Sequence, residues 1–226
     1  MPMAFNLPYA KVSTASQGEE FHFSDPQPAG AYSRASFAYA FEWNGFYAPR
    51  ALYRLLSQGV FAKVSQDGFT DGKKHFSRGS VIVPLGAAYQ SLPQEEIHRL
   101  MQTIAREDMV DVYALDSGFT AGHNLGSANF LRARLPRVAV IGSYEAASVP
   151  VGDLWHLMDQ HYLMPLSILP SEGIAGLDLD RYNVIFVTSG HASMSASALA
   201  KVRSWVERGG TLVTLEQGHQ FLRRMG

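Results

Sequence analysis

Gly209-Gly210-Thr211-Leu212-Val213-Thr214-Leu215-Glu216-Gln217-Gly218-His219-Gln220 is the stretch on which the reading of this chain turns. The paired glycines end a helical pattern, in which Leu199, Val202 and Val206 face inward and Ser195 stands as N-cap. Thr211–Leu215 then reads as a short buried strand. The next residues form a tight strand-to-helix turn, and Phe221 to Gly226 read as the first turns of a helix. Glu216 stands where such a turn would present a nucleophile, and a carboxylate there cannot act as a thiol.

Upstream, the same grammar recurs. Ser36–Trp43 is strand-like. Pro49 opens a helix carrying Leu52, Leu55 and Leu56, which stops at Gly59. Val60–Val64 and Ser80–Leu85 are strands. Ser91 and Gln94 make a capping box for a helix that buries Ile97, Leu100, Met101 and Ile104. Val110–Leu115 ends the first run at Asp116-Ser117-Gly118. After a looser stretch, Val138–Ile141, a helix over 151–162, Leu166–Leu169 and Asn183–Thr188 lead to the quoted segment. Each half reads strand, helix, strand, polar loop, strand, helix, strand, at an offset of about 100 residues.

Such alternation predicts an α/β fold: mostly parallel sheet with helices on both faces, in two similar Rossmann-like lobes. The divisions are an extended lead-in over 1–35 with one short strand near Phe21-His22-Phe23, a first lobe over 36–118, a linker over 119–136 and a second lobe over 137–226, cut short at its C-terminus. Ligands of parallel sheets sit at the carboxyl ends of the strands. That edge supplies Asp116, Ser143, Ser189, His191 and Glu216 as cleft candidates.

Composition narrows the function. The 226 residues are 46% apolar, enough for a core, and 19 basic residues nearly cancel 20 acidic ones. With no basic stripe, nucleic acid is not an expected partner. No apolar run approaches a membrane span, and Met1 to Ala10 lacks the basic start of a signal peptide. Zero cysteine removes disulfides, thiol catalysis and thiolate-bound zinc.

The remaining chemistry is sparse. Glu216, His219 and Ser189 are the only catalytic candidates, as a general base or a hydrolase site, against a turn with no activity. No Gly-x-Ser-x-Gly elbow occurs. The loop Gly118 to Gly126 reads as a phosphate cradle or as a linker. His156 and Asp159 share a helix face, whereas His156 and His161, five apart, point away from each other. None of the eight histidines is followed by Glu three residues later, so no carboxypeptidase-type zinc motif is present and no metal or cofactor is expected. Phe37, Tyr39, Phe41 and Trp43 alternate onto one strand face, as core or as a contact for a neighbouring domain.

Several segments carry a family resemblance: Ala38-Tyr39-Ala40-Phe41-Glu42-Trp43-Asn44-Gly45-Phe46-Tyr47-Ala48-Pro49-Arg50-Ala51-Leu52-Tyr53-Arg54-Leu55-Leu56, Phe76-Ser77-Arg78-Gly79-Ser80, Gly122-His123-Asn124-Leu125-Gly126-Ser127, Gly152-Asp153-Leu154-Trp155-His156-Leu157-Met158-Asp159-Gln160 and Leu177-Asp178-Leu179-Asp180-Arg181-Tyr182-Asn183. They resemble the region that follows the peptidase domain in bacterial zinc carboxypeptidase-like proteins of the M14 type. That region is similar to class I glutamine amidotransferases, whose Gly-x-Cys-x-Gly-x-Gln turn survives here only as Gly218-His219-Gln220. The resemblance implies a flavodoxin-like, amidotransferase-like fold and a periplasmic or secreted home. It also implies a peptidase domain of the same parent protein as partner. Glu216 falls where the thiol should be, so no catalytic residue carries over.

The expected function is therefore a non-catalytic accessory module, for domain packing or ligand binding at the strand-end cleft. The alternatives are a free-standing hydrolase around Glu216, His219 and Ser189, and a small-molecule or glycan sensor.

Overall fold

The computed structural model describes residues 13–14, 30–72, 74–142, 148–188, 194–215 and 218–225. Phe21-His22-Phe23 lies outside them. The chain is α/β, with an antiparallel five-stranded sheet in its N-terminal half and a parallel four-stranded sheet in its C-terminal half.

The N-terminal half corrects the expectation of a parallel lobe. Its strands are β1 (Ala38–Phe41), β2 (Lys63–Ser65), the hairpin β3 (Phe69–Asp71) and β4 (Lys74–Phe76), then β5 (Val81–Pro84), β6 (Tyr113–Leu115) and β7 (Phe130–Arg132). Its helices are α1 (Ala48–Ser57) and α2 (Gln94–Glu107). The main sheet runs β6-β1-β5-β2-β7, and every neighbouring pair is antiparallel. Since β1 and β2 both oppose β5, they run the same way, joined over α1 with β5 between them. Likewise β5 and β6 run the same way, joined over α2 with β1 between them. Two βαβ crossovers thus interleave in opposite directions. Sequence pattern reports each crossover but not the strand slipped into its gap.

Both helices cover one sheet face. Tyr39, Phe41, Val81 and Val83 meet Ala51 and Leu55 of α1 and Ile97, Met101 and Ile104 of α2. The opposite face, carrying Ala38, Ala40, Ile82 and Leu115, is covered by Phe69 and Phe76 of the hairpin together with Leu125 and Phe130. Helices on both faces are therefore not found in this half. The presumed linker contributes strand β7 and part of that cover. The aromatic strand is mainly core, since Tyr39 and Phe41 are fully buried, while Phe37 and Trp43 lie beyond the strand ends and are exposed.

Local signals hold unevenly. Pro49 sits in the first turn of α1, and Gly59 follows the helix at φ +79°. The Ser91 capping box does not form, because Pro93 is the N-cap of α2 and no side chain caps it.

The C-terminal half contains β8 (Val138–Ile141), α3 (Ser148–Trp155), β9 (Leu166–Leu169), β10 (Val184–Val187), α4 (Ala196–Glu207), β11 (Thr211–Thr214) and α5 (His219–Met225). Its strands are all parallel, in the order β11-β10-β8-β9. Ala139, Ile141, Ile185 and Val187 pack on α4 and on Phe221 of α5. Val138, Val140 and Phe186 pack on Val151 and Leu154 of α3. Burial on both faces explains the continuous apolar runs of these strands. The Ser195 cap forms, its hydroxyl accepting from the Ala198 amide at 3.2 Å. Among the described residues, no helix is long and apolar enough to cross a membrane.

The two halves meet around α1. Tyr53 packs on the Val138–Leu154 cluster, Phe46 touches the rings of His161 and Tyr162, and Arg50 reaches the His161 carbonyl at 3.5 Å. Two topologies as different as these do not make two similar Rossmann-like lobes.

A polar cluster is sealed inside the first core. Tyr39 Oη and His98 Nδ1 lie 2.5 Å apart, and Tyr32 Oη lies 3.0 Å from Tyr39 Oη. Burial, reinforced by the Tyr32 hydrogen bond, raises the Tyr39 pKa, so the phenol stays protonated. Burial lowers the His98 pKa, the nearby Arg34 charge adds to this, and Glu95 opposes it. Unfolded His98 regains its ordinary value of 6.5. Above that value both states are neutral and stability is complete. As pH falls below it, the unfolded chain takes up a proton that the folded chain resists, and stability declines by at most about 1.4 kcal/mol per pH unit. Thermal melts from pH 7.5 to 5 are expected to show this slope, and His98→Gln to flatten it. An unchanged slope in the variant would remove His98 as its source. Glu42 and Glu95, whose pKa values are lowered by Lys74 and Arg34 respectively, act in a separate window below 4.5.

Candidate functional site

The carboxyl edge of the parallel sheet is where the strand-end reading places a site. Four strands deliver Gly142, Pro170, Thr188 and Leu215 there. The chain passes from β8 to β9 on one side and then back from β9 to β10 on the other side of β8, so the direction of the crossovers reverses about β8. Gly142 allows a close approach, since a Cβ there would lie 2.9 Å from Val151 Cγ2 of α3. Ser143, Ser189, His191 and Glu216 lie outside the described residues, on the segments that follow β8, β10 and β11.

Leu215 and Gly218, on either side of Glu216-Gln217, are held by backbone hydrogen bonds. Leu215 N–H donates to the Val187 carbonyl at 2.9 Å, and Gly218 N–H donates to the Leu215 carbonyl at 2.8 Å. Gly218 is buried, and a Cβ on it would stand 2.5 Å from the Val187 oxygen. Only glycine lets the turn lie this tightly against β10. His219 begins α5 and is exposed.

Asp116 does not join that edge. It follows β6 in the antiparallel sheet, where its carboxylate accepts from Ser36 Oγ at 2.6 Å and from the Ser36 amide at 3.3 Å. The carboxylate fastens the start of β1 to the end of β6. The five cleft candidates therefore divide between two sheets.

The glycine loop, Gly118 to Gly126, is tied to the hairpin. Ala121 and Thr70 exchange backbone hydrogen bonds of 2.9 and 2.8 Å, tying the loop to the hairpin, and no helix opens from it.

The histidine pair also differs from expectation. Residues His156–His161 form a π-helical turn continuing α3. In an α-helix, positions five apart point roughly 140° apart. The wider turn swings them together, and the two imidazoles meet edge to face with centroids 4.8 Å apart. Among the described residues, no group of three metal-ligating side chains exists.

A groove of about 890 Å³ runs between the halves, lined by Leu56, Val60, Leu131, Leu135, Arg137 and Asn183. Arg137 and Asn183 immediately precede β8 and β10, so this groove lies at the amino end of the parallel strands, away from the predicted cleft.

One end of this groove, which Phe61 and Arg132 also line, carries an aromatic and cationic surface that the sequence reading missed. Phe61 and Tyr89 lie with ring centroids 5.3 Å apart, at the end of the antiparallel sheet. Arg132 sits over Phe61 at 5.2 Å, and Lys63 Nζ sits 5.4 Å from the Tyr89 ring centroid. Their spacing along the chain carries no motif, because only the pairing of β2 with β7 and the turn after β5 bring them together.

Comparison with known proteins yields no matching family model, no matching curated protein and no matching solved structure.

Proposed function

We propose that this chain is a non-catalytic, amidotransferase-like accessory module of a zinc carboxypeptidase-like protein, packing on a peptidase domain and offering its strand-end cleft to a ligand. The observation that carries the reading is the β11 turn. Its Gly218 packs tightly against Val187, and in the sequence Glu216 stands two residues before it, where the resemblance puts the amidotransferase thiol. The parallel order β11-β10-β8-β9, with a switch at β8, supports the finer description of this half as flavodoxin-like. The quoted segments resembling the M14-associated region support the parent protein and its periplasmic or secreted home.

A carboxylate cannot form the thioester through which amidotransferases hydrolyse glutamine. The purified chain is expected to release no ammonia from glutamine, and Glu216→Ala to leave that result unchanged. Glutaminase activity in the wild-type chain would overturn the reading. Activity in a hydrolase panel that Glu216→Ala abolishes would establish the rival hydrolase instead. An in-frame sequence ahead of Met1 carrying His-x-x-Glu and a later His would support the parent protein directly.

A further inference from the structure

We propose that the Phe61–Tyr89 end of the antiparallel sheet binds an acidic carbohydrate, a sugar ring bearing a carboxylate. The surface is preorganised. Gln90 clamps it from behind, its Oε1 accepting from the Phe61 amide at 2.9 Å and its Nε2 donating to the Phe61 and Pro84 carbonyls at 2.9 and 2.6 Å. These three bonds join the edge of β2, the end of β5 and the Tyr89 turn into one unit, so little order has to be gained on binding. Tyr89 is 48% exposed and offers an apolar ring surface against which the C–H face of a sugar can pack.

The charges complete the site. Arg132 held over Phe61 keeps the edge of its guanidinium free for a bidentate carboxylate. Lys63 donates to the Leu125 carbonyl at 3.1 Å, which fixes its ammonium beside Tyr89 and leaves two donors available. Among the described residues neither cation is ion-paired, whereas Lys74, Arg34, Arg203 and Arg208 each have a carboxylate partner. Two cations without a carboxylate partner, one of them held by a hydrogen bond, beside an exposed ring fit a ligand that is apolar on one face and anionic at its rim. A nucleic-acid strand is the competing occupant, since Arg134 and Arg137 continue from Arg132 along the adjoining groove, while the chain's net charge of −1 weighs against it. This surface lies on a different sheet from the strand-end cleft, so its test is separate from that of the proposed function.

The test titrates the full chain with trigalacturonic acid, followed by calorimetry at low salt. Neutral galactotriose and a thymidine oligonucleotide serve as comparisons. Saturable binding of the acidic sugar is expected, with the neutral sugar about tenfold weaker or more, and with weakening at raised salt. Arg132→Gln and Tyr89→Ala should each weaken binding by about tenfold without moving the melting temperature, since both residues are exposed. Absence of saturable binding, equal affinity for the neutral sugar, tighter binding of the oligonucleotide, or unchanged binding by both variants would each overturn the proposal.

Discussion

Asp108→Ala is expected to lower stability by about 3–5 kcal/mol, a fall in melting temperature of roughly 10 °C. The Asp108 side chain is fully buried, just past the end of α2. One carboxylate oxygen accepts from Arg50 Nε at 2.6 Å and from an Arg54 terminal nitrogen at 3.0 Å, and the other accepts from Arg54 Nε at 3.1 Å. Burial works against the charge on Arg54, but the Asp108 hydrogen bond and charge outweigh it and raise the guanidinium's pKa. Removing the carboxylate leaves the largely buried Arg50 without its ion pair and Arg54 with only the half-exposed Glu107 at 3.2 Å, the costly half of a broken ion pair. Arg50 also stacks on Tyr47 at 4.0 Å and touches the His161 carbonyl, so the loss should reach the contact between the halves. Thermal melts and limited proteolysis near His161 would read both effects. Glu95→Ala, which removes the exposed pair with Arg34, is the contrast, with an expected change within about 1 kcal/mol. Equal effects from the two variants would mean that burial at Asp108 does not set its weight.

Trp205→Ala should be comparably severe, about 3–5 kcal/mol, through the C-terminal core. The indole is 3% exposed and packs beneath the parallel sheet with Val202, Ala198 and Ile185. Its Nε1 donates to the Tyr182 carbonyl at 3.3 Å. Its ring fills the space over Gly210, where a Cβ would lie 2.4 Å from the ring atoms. The alanine variant therefore opens a cavity and leaves the Tyr182 carbonyl without this donor. Trp205→Phe keeps most of the packing and loses the hydrogen bond, so its cost should be clearly smaller. Urea unfolding of the two variants separates packing from hydrogen bonding. If phenylalanine proved as damaging as alanine, the Tyr182 bond would carry more than the ring.

The helices and most strands were legible because their signals are local. The apolar rows on α1 and α2, the Ser195 cap, Gly59 after α1 and the apolar β8 and β10 need no distant partner to be read. The candidate site was legible only in outline. Strand β11 was legible from its apolar run, whereas the antiparallel sheet that Asp116 follows was not, because strand order is not a local property. The His156–His161 contact escaped because a single wide helical turn leaves no periodic mark.

By itself, the sequence determined that this is an α/β chain without cysteine, with a glycine-ended helix running into an apolar strand near its C-terminal end. Those properties follow from residue identity and from periodicity over one element. The tertiary structure decided that the first half is antiparallel, that Phe130–Arg132 completes its sheet, and that Phe61, Tyr89, Lys63 and Arg132 share a surface. The reason is that a crossover helix constrains only the direction of the strands it joins. Which strand enters the gap between them is settled by the burial available on both faces of the assembled sheet.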